Sequence, residues 1–199
     1  MPFFLVKNFN SLRLENDDLL LRPLQKSDFS LWAKTRAQSR DFLTPFEPIW
    51  GAKDLSYEVF LKRLKHNKRQ MALKYEFSFS IWKKTGDIQI LAGGLSLTNI
   101  RHISGHVNLG YWISVEQKNK GIMSAAVAMV LPFVFDDLAL RRIHAASLPN
   151  NAASIAVLEK SGFIKEGFAK NYLQINGAWR DHLLYGLTVE EYKMGFLKK

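Results

Sequence analysis

Cysteine is absent from the 199 residues, and this excludes disulfides, thiolate metal sites, a cysteine nucleophile and an acyl-cysteine intermediate. The absence suits a reducing cytoplasm, where the protein is expected to work. Long apolar runs are missing too. None approaches the ~20 residues of a membrane span, so a soluble protein with no membrane partner is expected. The opening Met1-Pro2-Phe3-Phe4-Leu5-Val6 has no basic segment ahead of it and too few apolar residues for a signal peptide. No repeat, low-complexity tract or Pro/Gly/Ser linker interrupts the chain, which reads as one domain over residues 1–199. Acidic residues are comparatively scarce: 18 Asp and Glu face 28 Lys and Arg, a formal charge of +10. That surplus attracts polyanions, among them nucleic acid, ribosomes and phosphate-rich cofactors. The basic residues are spread along the chain apart from Lys62-Arg63-Leu64-Lys65-His66-Asn67-Lys68-Arg69, which suits either a solvated helix face or a binding patch.

What is present is ordinary globular material, 47% apolar and 23% charged. Leu19 to Leu24 reads as a first strand, and Ser27 as the N-cap of a helix to about Gln38. Asp54 reads as the cap of a second helix carrying Leu55, Val59, Phe60, Leu61 and Leu64 at helical spacing. Phe77, Phe79 and Ile81 then alternate with Ser78, Ser80 and Trp82 at strand period; Lys84-Thr85-Gly86-Asp87 turns the chain into Ile88 to Leu97. Val107 to Ser114 is a further strand. A helix is expected from Ile122 to Asp136, kinked at Pro132. Arg142 to Leu148 is a strand and Asn151 to Lys160 a helix ended by Gly162. Asn176-Gly177 joins a closing hairpin, and Thr188-Val189-Glu190-Glu191 is a capping box for a short terminal helix. Helices, antiparallel strands, then strand–helix–hairpin make an α+β fold.

The chemistry concentrates between Asn108 and Ser161. A strand ending Leu109-Gly110-Tyr111-Trp112-Ile113 runs into Gln117-Lys118-Asn119-Lys120-Gly121-Ile122-Met123, where a helix opens. Such a junction leaves about four N–H groups unpaired with roughly half a positive charge behind them, which suits phosphate. The loop is neither a Walker A sequence nor a GxGxxG, so neither NTP hydrolysis nor dinucleotide binding fits.

This segment resembles the GNAT acetyltransferases, and within them the ribosomal-protein-alanine N-acetyltransferase branch. Lys118 to Met123 lies on the family's Q/R-x-x-G-x-G/A motif, with Gly121 as its first glycine, Lys118 in place of Gln/Arg and Met123 in place of the closing small residue. Asn151-Ala152-Ala153-Ser154 with Leu158-Glu159-Lys160-Ser161-Gly162-Phe163 resembles its N-x-x-S…K-x-G-F segment. Arg22-Pro23-Leu24, Phe42 to Pro48, and Tyr172 to His182 resemble the branch's opening and closing patterns. The resemblance implies a mostly antiparallel mixed sheet with helices on both faces, splayed where Leu109 to Ser114 leaves Arg142 to Leu148. It implies acetyl-coenzyme A as co-substrate with no metal. Cofactor contacts would fall on Tyr111, Trp112, Ile113, Lys118, Asn119, Lys120, Gly121, Ile122, Met123, Asn151 and Ser154. A backbone N–H near Ile113 would hold the thioester oxygen, and Ser154 is the matched proton donor.

Two carboxylates common in the family are replaced, by Asn108 and Asn171. Without a strong base the acceptor's own pKa matters. An α-amine near 7.7–8 is roughly a tenth neutral at pH 7, a lysine only ~0.04%. A protein N-terminal α-amine, with a ribosomal protein or the ribosome as partner and no sequence-specific nucleic-acid contact, is therefore favoured over lysine. A small-amine acetyltransferase and a non-catalytic acyl-coenzyme A sensor are the competing readings. Glu47, between two prolines, suits either a solvated loop or the acceptor amine, which Asn108 and Asn171 would also line. Asp181 and His182 suit a proton relay or an ion pair with Arg180. His102 and His106 lack a third partner for a metal.

Overall fold

The computed structural model describes residues 12–196; the opening hexapeptide lies outside them. Eight strands form one sheet in the order β1-β2-β3-β4-β5-β6-β8-β7. In chain order they are β1 (Leu14–Glu15), β2 (Leu19–Arg22), β3 (Phe77–Thr85), β4 (Ile88–Arg101), β5 (His106–Ile113), β6 (Arg142–Ser147), β7 (Ile164–Ile175) and β8 (Ala178–Thr188). Every neighbouring pair is antiparallel except β5/β6. The helices are α1 (Phe29–Gln38), α2 (Arg40–Leu43), α3 (Tyr57–Ala72), α4 (Ile122–Pro132), α5 (Ala152–Lys160) and α6 (Val189–Phe196).

Helices cover both faces, and β2 shows why its sequence does not alternate: Leu19, Leu20 and Leu21 are all buried. Leu20 turns to one face, where Trp82 and Leu91 meet Trp32 of α1 and Phe60 of α3. Leu19 and Leu21 turn to the other and join Phe79, Ile81, Leu95 and Val107 under α4, with Leu158 of α5. α1 and α3 therefore pack on one face of the sheet, and α4 and α5 on the other.

Three helix boundaries differ from the sequence reading. Ser27 does not cap α1; Asp28 stands at the junction, its carboxylate taking both arms of the Arg22 guanidinium (2.7 and 2.9 Å) and the Gln25 N–H (2.7 Å). Asp54 is likewise spent on the Gly51 N–H at 2.8 Å, and α3 is capped by Ser56 Oγ, which accepts from Val59 N–H. The helix from Ile122 does not run as α to Asp136. Pro132 brings no N–H, and the chain widens into a π turn over Phe133–Asp137, with Leu138 N–H reaching back to the Phe133 carbonyl at 2.9 Å. The Asn176-Gly177 turn forms as expected, both residues at positive φ (46° and 80°). The terminal capping box forms too, Glu191 bonding Thr188 N–H and Thr188 Oγ1 accepting from Glu191 N–H.

Candidate active site

Parallel pairing of β5 with β6 runs from His106↔Arg142 to Leu109↔Ala145 and stops. Beyond it, residues 110–113 keep only β4 as a partner. Which backbone groups face the gap follows from strand parity. Ser114 N–H bonds Ala92 O at 2.7 Å, on the β4 side. One residue back the direction reverses, so the N–H groups of Ile113 and Tyr111 point away from β4 into the gap. The gap opens into a cleft of about 430 Å³, walled by residues 109–113 on one side and 145–148 on the other, with Met123 and the first turn of α5 at its ends.

At one end the chain makes a short 3-10 turn (Val115–Gln117), passes Asn119 at φ 60° and Gly121 at φ 74°, and enters α4. Gly121 is the N-cap residue, and no side chain caps the helix. The first N–H groups of α4 are thus presented by the loop, while buried Ile122 and Met123 anchor it from below. Lys120 Nζ bonds Gln117 Oε1 at 3.3 Å, and Lys118 Nζ lies 5.4 Å from the Phe42 ring centroid.

At the other end Asn151 Oδ1 accepts from Ser154 N–H at 3.1 Å and caps α5. That cap holds Ser154 with its Oγ 3.0 Å from the Tyr111 hydroxyl, which also donates to the Ser154 carbonyl at 3.2 Å. Burial pushes the Tyr111 hydroxyl up to about 12, so it stays protonated across the physiological range. Two hydroxyls in contact can pass a proton from one to the other.

A second cavity of about 460 Å³ opens on the other face of the sheet, beneath α1, α3 and the 47–55 loop. It shares Glu47, Gly110, Tyr111 and Trp112 with the cleft. Glu47 accepts both arms of Arg36 (2.8 and 2.6 Å) and Trp50 Nε1–H (2.8 Å). The Arg36 guanidinium is stacked between Trp50 and Trp112, 4.2 and 4.7 Å from their centroids. Both partners are largely covered, at 13% and 20% side-chain exposure. Trp112 reaches this position because Gly94 lies under it; a Cβ there would meet Trp112 Nε1 at 2.5 Å. The β7–β8 hairpin tip closes the corner, Asn176 N–H bonding the Glu47 carbonyl at 2.8 Å.

Residues 18–164 match the acetyltransferase (GNAT) domain family. The chain belongs to that family. It is an acetyl-coenzyme A-dependent N-acetyltransferase. It is 34% identical over 172 residues to the probable N-acetyltransferase YjcK of Bacillus subtilis, covering 85% of this chain and 93% of that one. It is 31% identical over 189 residues to the [ribosomal protein uS5]-alanine N-acetyltransferase of Escherichia coli, with 94% and 96% covered. Mycobacterium smegmatis RimJ, solved in complex with CoA-disulfide, superposes with a TM-score of 0.80 at 32% identity, over 87% of this chain and 83% of that one.

The acetyltransferase brings some of its sequence-selected residues together and separates others. Tyr111, Trp112, Ile113, Met123, Asn151 and Ser154 all line the cleft. Asn108 lines neither cavity; it sits in register between Thr98 and His144 inside the sheet. Asn171 lies on the far side of the hairpin, at φ 46° in the bulged stretch of β7, its N–H on Asp181 Oδ1 at 2.8 Å. These two do not meet. The Asp181 carboxylate is thereby committed to a backbone group, and buried His182 contacts the Arg180 carbonyl at 3.0 Å while facing the cleft. Glu47 is no solvated loop residue. His106 neighbours His144, ring centroids 5.4 Å apart. The sequence reading missed Arg36, Trp50 and Gly94, and took Arg63 only as one of a basic run suited to a solvated helix face or a binding patch. Arg36 ends an unremarkable helix, and only its distance from Glu47 along the chain, eleven residues and a turn, hides the pair.

Proposed function

We propose that this acetyltransferase modifies the N-terminal α-amine of a protein, a ribosomal protein being the acceptor class, by direct attack in a ternary complex. The observation that carries the reading is the shared wall: two cavities on opposite faces of the sheet meet at Glu47, Gly110, Tyr111 and Trp112. Such a passage lets an amine reach a thioester without either entering through the other's door. The cleft suits acetyl-coenzyme A, which supplies the thioester: the uncapped N–H groups at Gly121–Met123 suit its pyrophosphate, with Lys118, Asn119 and Lys120 at the rim. Ile113 N–H, pointing into the gap, would hold the charge that builds on the thioester oxygen. Ser154 would protonate the departing sulfur and be resupplied through Tyr111, which would pass on the proton that the amine sheds as the amide forms. Asn151 would position Ser154 through its cap.

At the junction Glu47 is the only carboxylate among the described residues lining both cavities, and Arg36 and Trp50 already occupy it. It orients the amine more readily than it strips a proton, so an acceptor that is partly neutral near pH 7 is favoured. That is an α-amine. The Escherichia coli relative named for uS5-alanine supports the acceptor class. The test compares peptides with a free Ala or Ser terminus against N-blocked peptides carrying lysine, and against polyamines. Free termini should be acetylated far faster, with rate rising between about pH 6.5 and 8 as the amine loses its proton. Tyr111, held protonated, adds no titration in that window. Faster turnover of blocked lysine peptides or polyamines would end the N-terminal reading.

A further inference from the structure

The basic segment of α3 divides into two faces once folded. Lys62 pairs with Glu58 at 2.7 Å, and His66 faces Glu76 at 3.6 Å. Lys65, Lys68 and Arg69 are exposed, as Arg63 is, but line none of the cavities described above. Arg63 and Asn67, four residues apart and so on one stripe, line the acceptor-side cavity. Arg63 lies 5.6 Å from the Trp32 ring centroid. Among the described residues it makes no ion pair within 4.0 Å. The two carboxylates near enough to act on it are both engaged, Glu47 by Arg36 and Trp50, Asp54 by the Gly51 N–H.

Arg36 touches Trp112, and Trp32, beside Arg63, lies one helical turn earlier on α1. Trp112, Arg63 and Asn67 line the same cavity. An amine placed at Trp112 therefore leaves the side chains of the residues close behind it in the cavity that Arg63 lines; the second and third positions are the first of these.

We infer that Arg63, assisted by Asn67, is a carboxylate subsite that selects acceptors with Asp or Glu at the second or third position behind the attacked amine. The inference rests on the N-terminal reading above. A guanidinium meets a carboxylate with two parallel hydrogen bonds and the Asn67 amide offers another donor, a geometry that lysine-rich or apolar termini cannot use.

The experiment is acceptor kinetics at fixed, saturating acetyl-coenzyme A with matched hexapeptides that begin with Ala and carry Glu, Gln or Lys at position two or three. For the natural chain kcat/KM should be about tenfold higher with Glu than with Gln, and lower still with Lys. Arg63→Gln should flatten the series, and Arg63→Glu should invert it. Lys68→Glu, which changes the charge of α3 outside the cavity, should leave the Glu preference in place. The subsite is overturned, and N-terminal acetylation left standing, if all peptides turn over alike or if Arg63→Glu leaves their order unchanged. It is also overturned if Lys68→Glu shifts the order as much as Arg63→Glu, since a diffuse field would then explain it. Failure to acetylate any free N-terminus while polyamines react would overturn both readings.

Discussion

The cleft between β5 and β6 and the cavity under α1 and α3 share Trp112 but are made of different material. The first is built largely from backbone: two strands that part, a loop at positive φ, and the open end of α4. The second is built from side chains that hold one another, with Arg36, Glu47 and Trp50 in front and Arg63 behind. A backbone site recognises what every substrate of a family has in common, because N–H groups are the same whichever residues bear them. A side-chain site can be rebuilt without disturbing the strands. The division accounts for a constant thioester donor and a variable acceptor on one frame, and it can be broken from either side.

The largest effect is expected at Gly121. Its φ of 74° is open to glycine and costly for a β-branched residue. No atom lies within 4 Å of a Cβ placed there, so Gly121→Val meets no clash in the protein itself. The loss must come from the backbone and from a side chain standing where phosphate would approach. Coenzyme A affinity by calorimetry should fall about a hundredfold, with strain alone worth roughly 1–3 kcal/mol. Unchanged affinity would move the pyrophosphate elsewhere. The acceptor's KM, by contrast, should hardly move.

The same contrast governs what could be read before folding. Strand period in Phe77 to Trp82, the Asn176-Gly177 turn and the Thr188 capping box are local, and each formed where its residues said. The splay and the loop were legible because short motifs carry them. Asp54 misled because a capping residue is chosen by competition, and the Gly51 N–H supplied a rival that a linear reading does not see, while at Ser27 the junction fell one residue later, at Asp28, which Arg22 holds. Glu47 was singled out for its flanking prolines, yet its partners come from α1 and from Trp50, and nothing in the spacing of Arg36 announces them. Asn108 and Asn171 were joined by family logic, whereas the sheet register sends one into the β5/β6 pairing and the other to the outer hairpin.

A smaller effect should appear at Ser154, in the cleft beside the shared residue Tyr111. Ser154→Ala removes the hydroxyl but keeps the Asn151 cap, which uses the backbone N–H. General-acid help is worth about a hundredfold or more for poor leaving groups; a thiolate needs less, so kcat should fall about thirtyfold with acetyl-coenzyme A affinity little changed. Tyr111→Phe, losing the resupplying hydroxyl, should lower kcat less than Ser154→Ala, and combining the two should add little. Equal losses in kcat and in cofactor affinity, or additive losses in the pair, would make the hydroxyls structural.

The finest test of the division is Glu47→Gln, because Glu47 belongs to the wall between the cavities. The amide keeps the shape but offers Arg36 one acceptor oxygen instead of two, and it leaves a covered guanidinium without its counter-charge. Losing a charge-assisted bond of this kind costs about 2 kcal/mol of stability, which lowers the melting temperature of a chain this size by about 4–8 °C. Arg36 should then loosen between Trp50 and Trp112, and Trp112 is what the acceptor would touch. If the acceptor side is made of side chains and the donor side of backbone, kcat/KM for an N-terminal peptide should fall about tenfold while coenzyme A affinity stays within twofold. Arg36→Lys should reproduce the acceptor defect, since a lysine keeps the charge but neither forks onto Glu47 nor stacks as a planar ion. A parallel loss of coenzyme A affinity in both variants would show that the Arg36–Glu47 pair holds the strands apart, and the two cavities would then be one machine and not two.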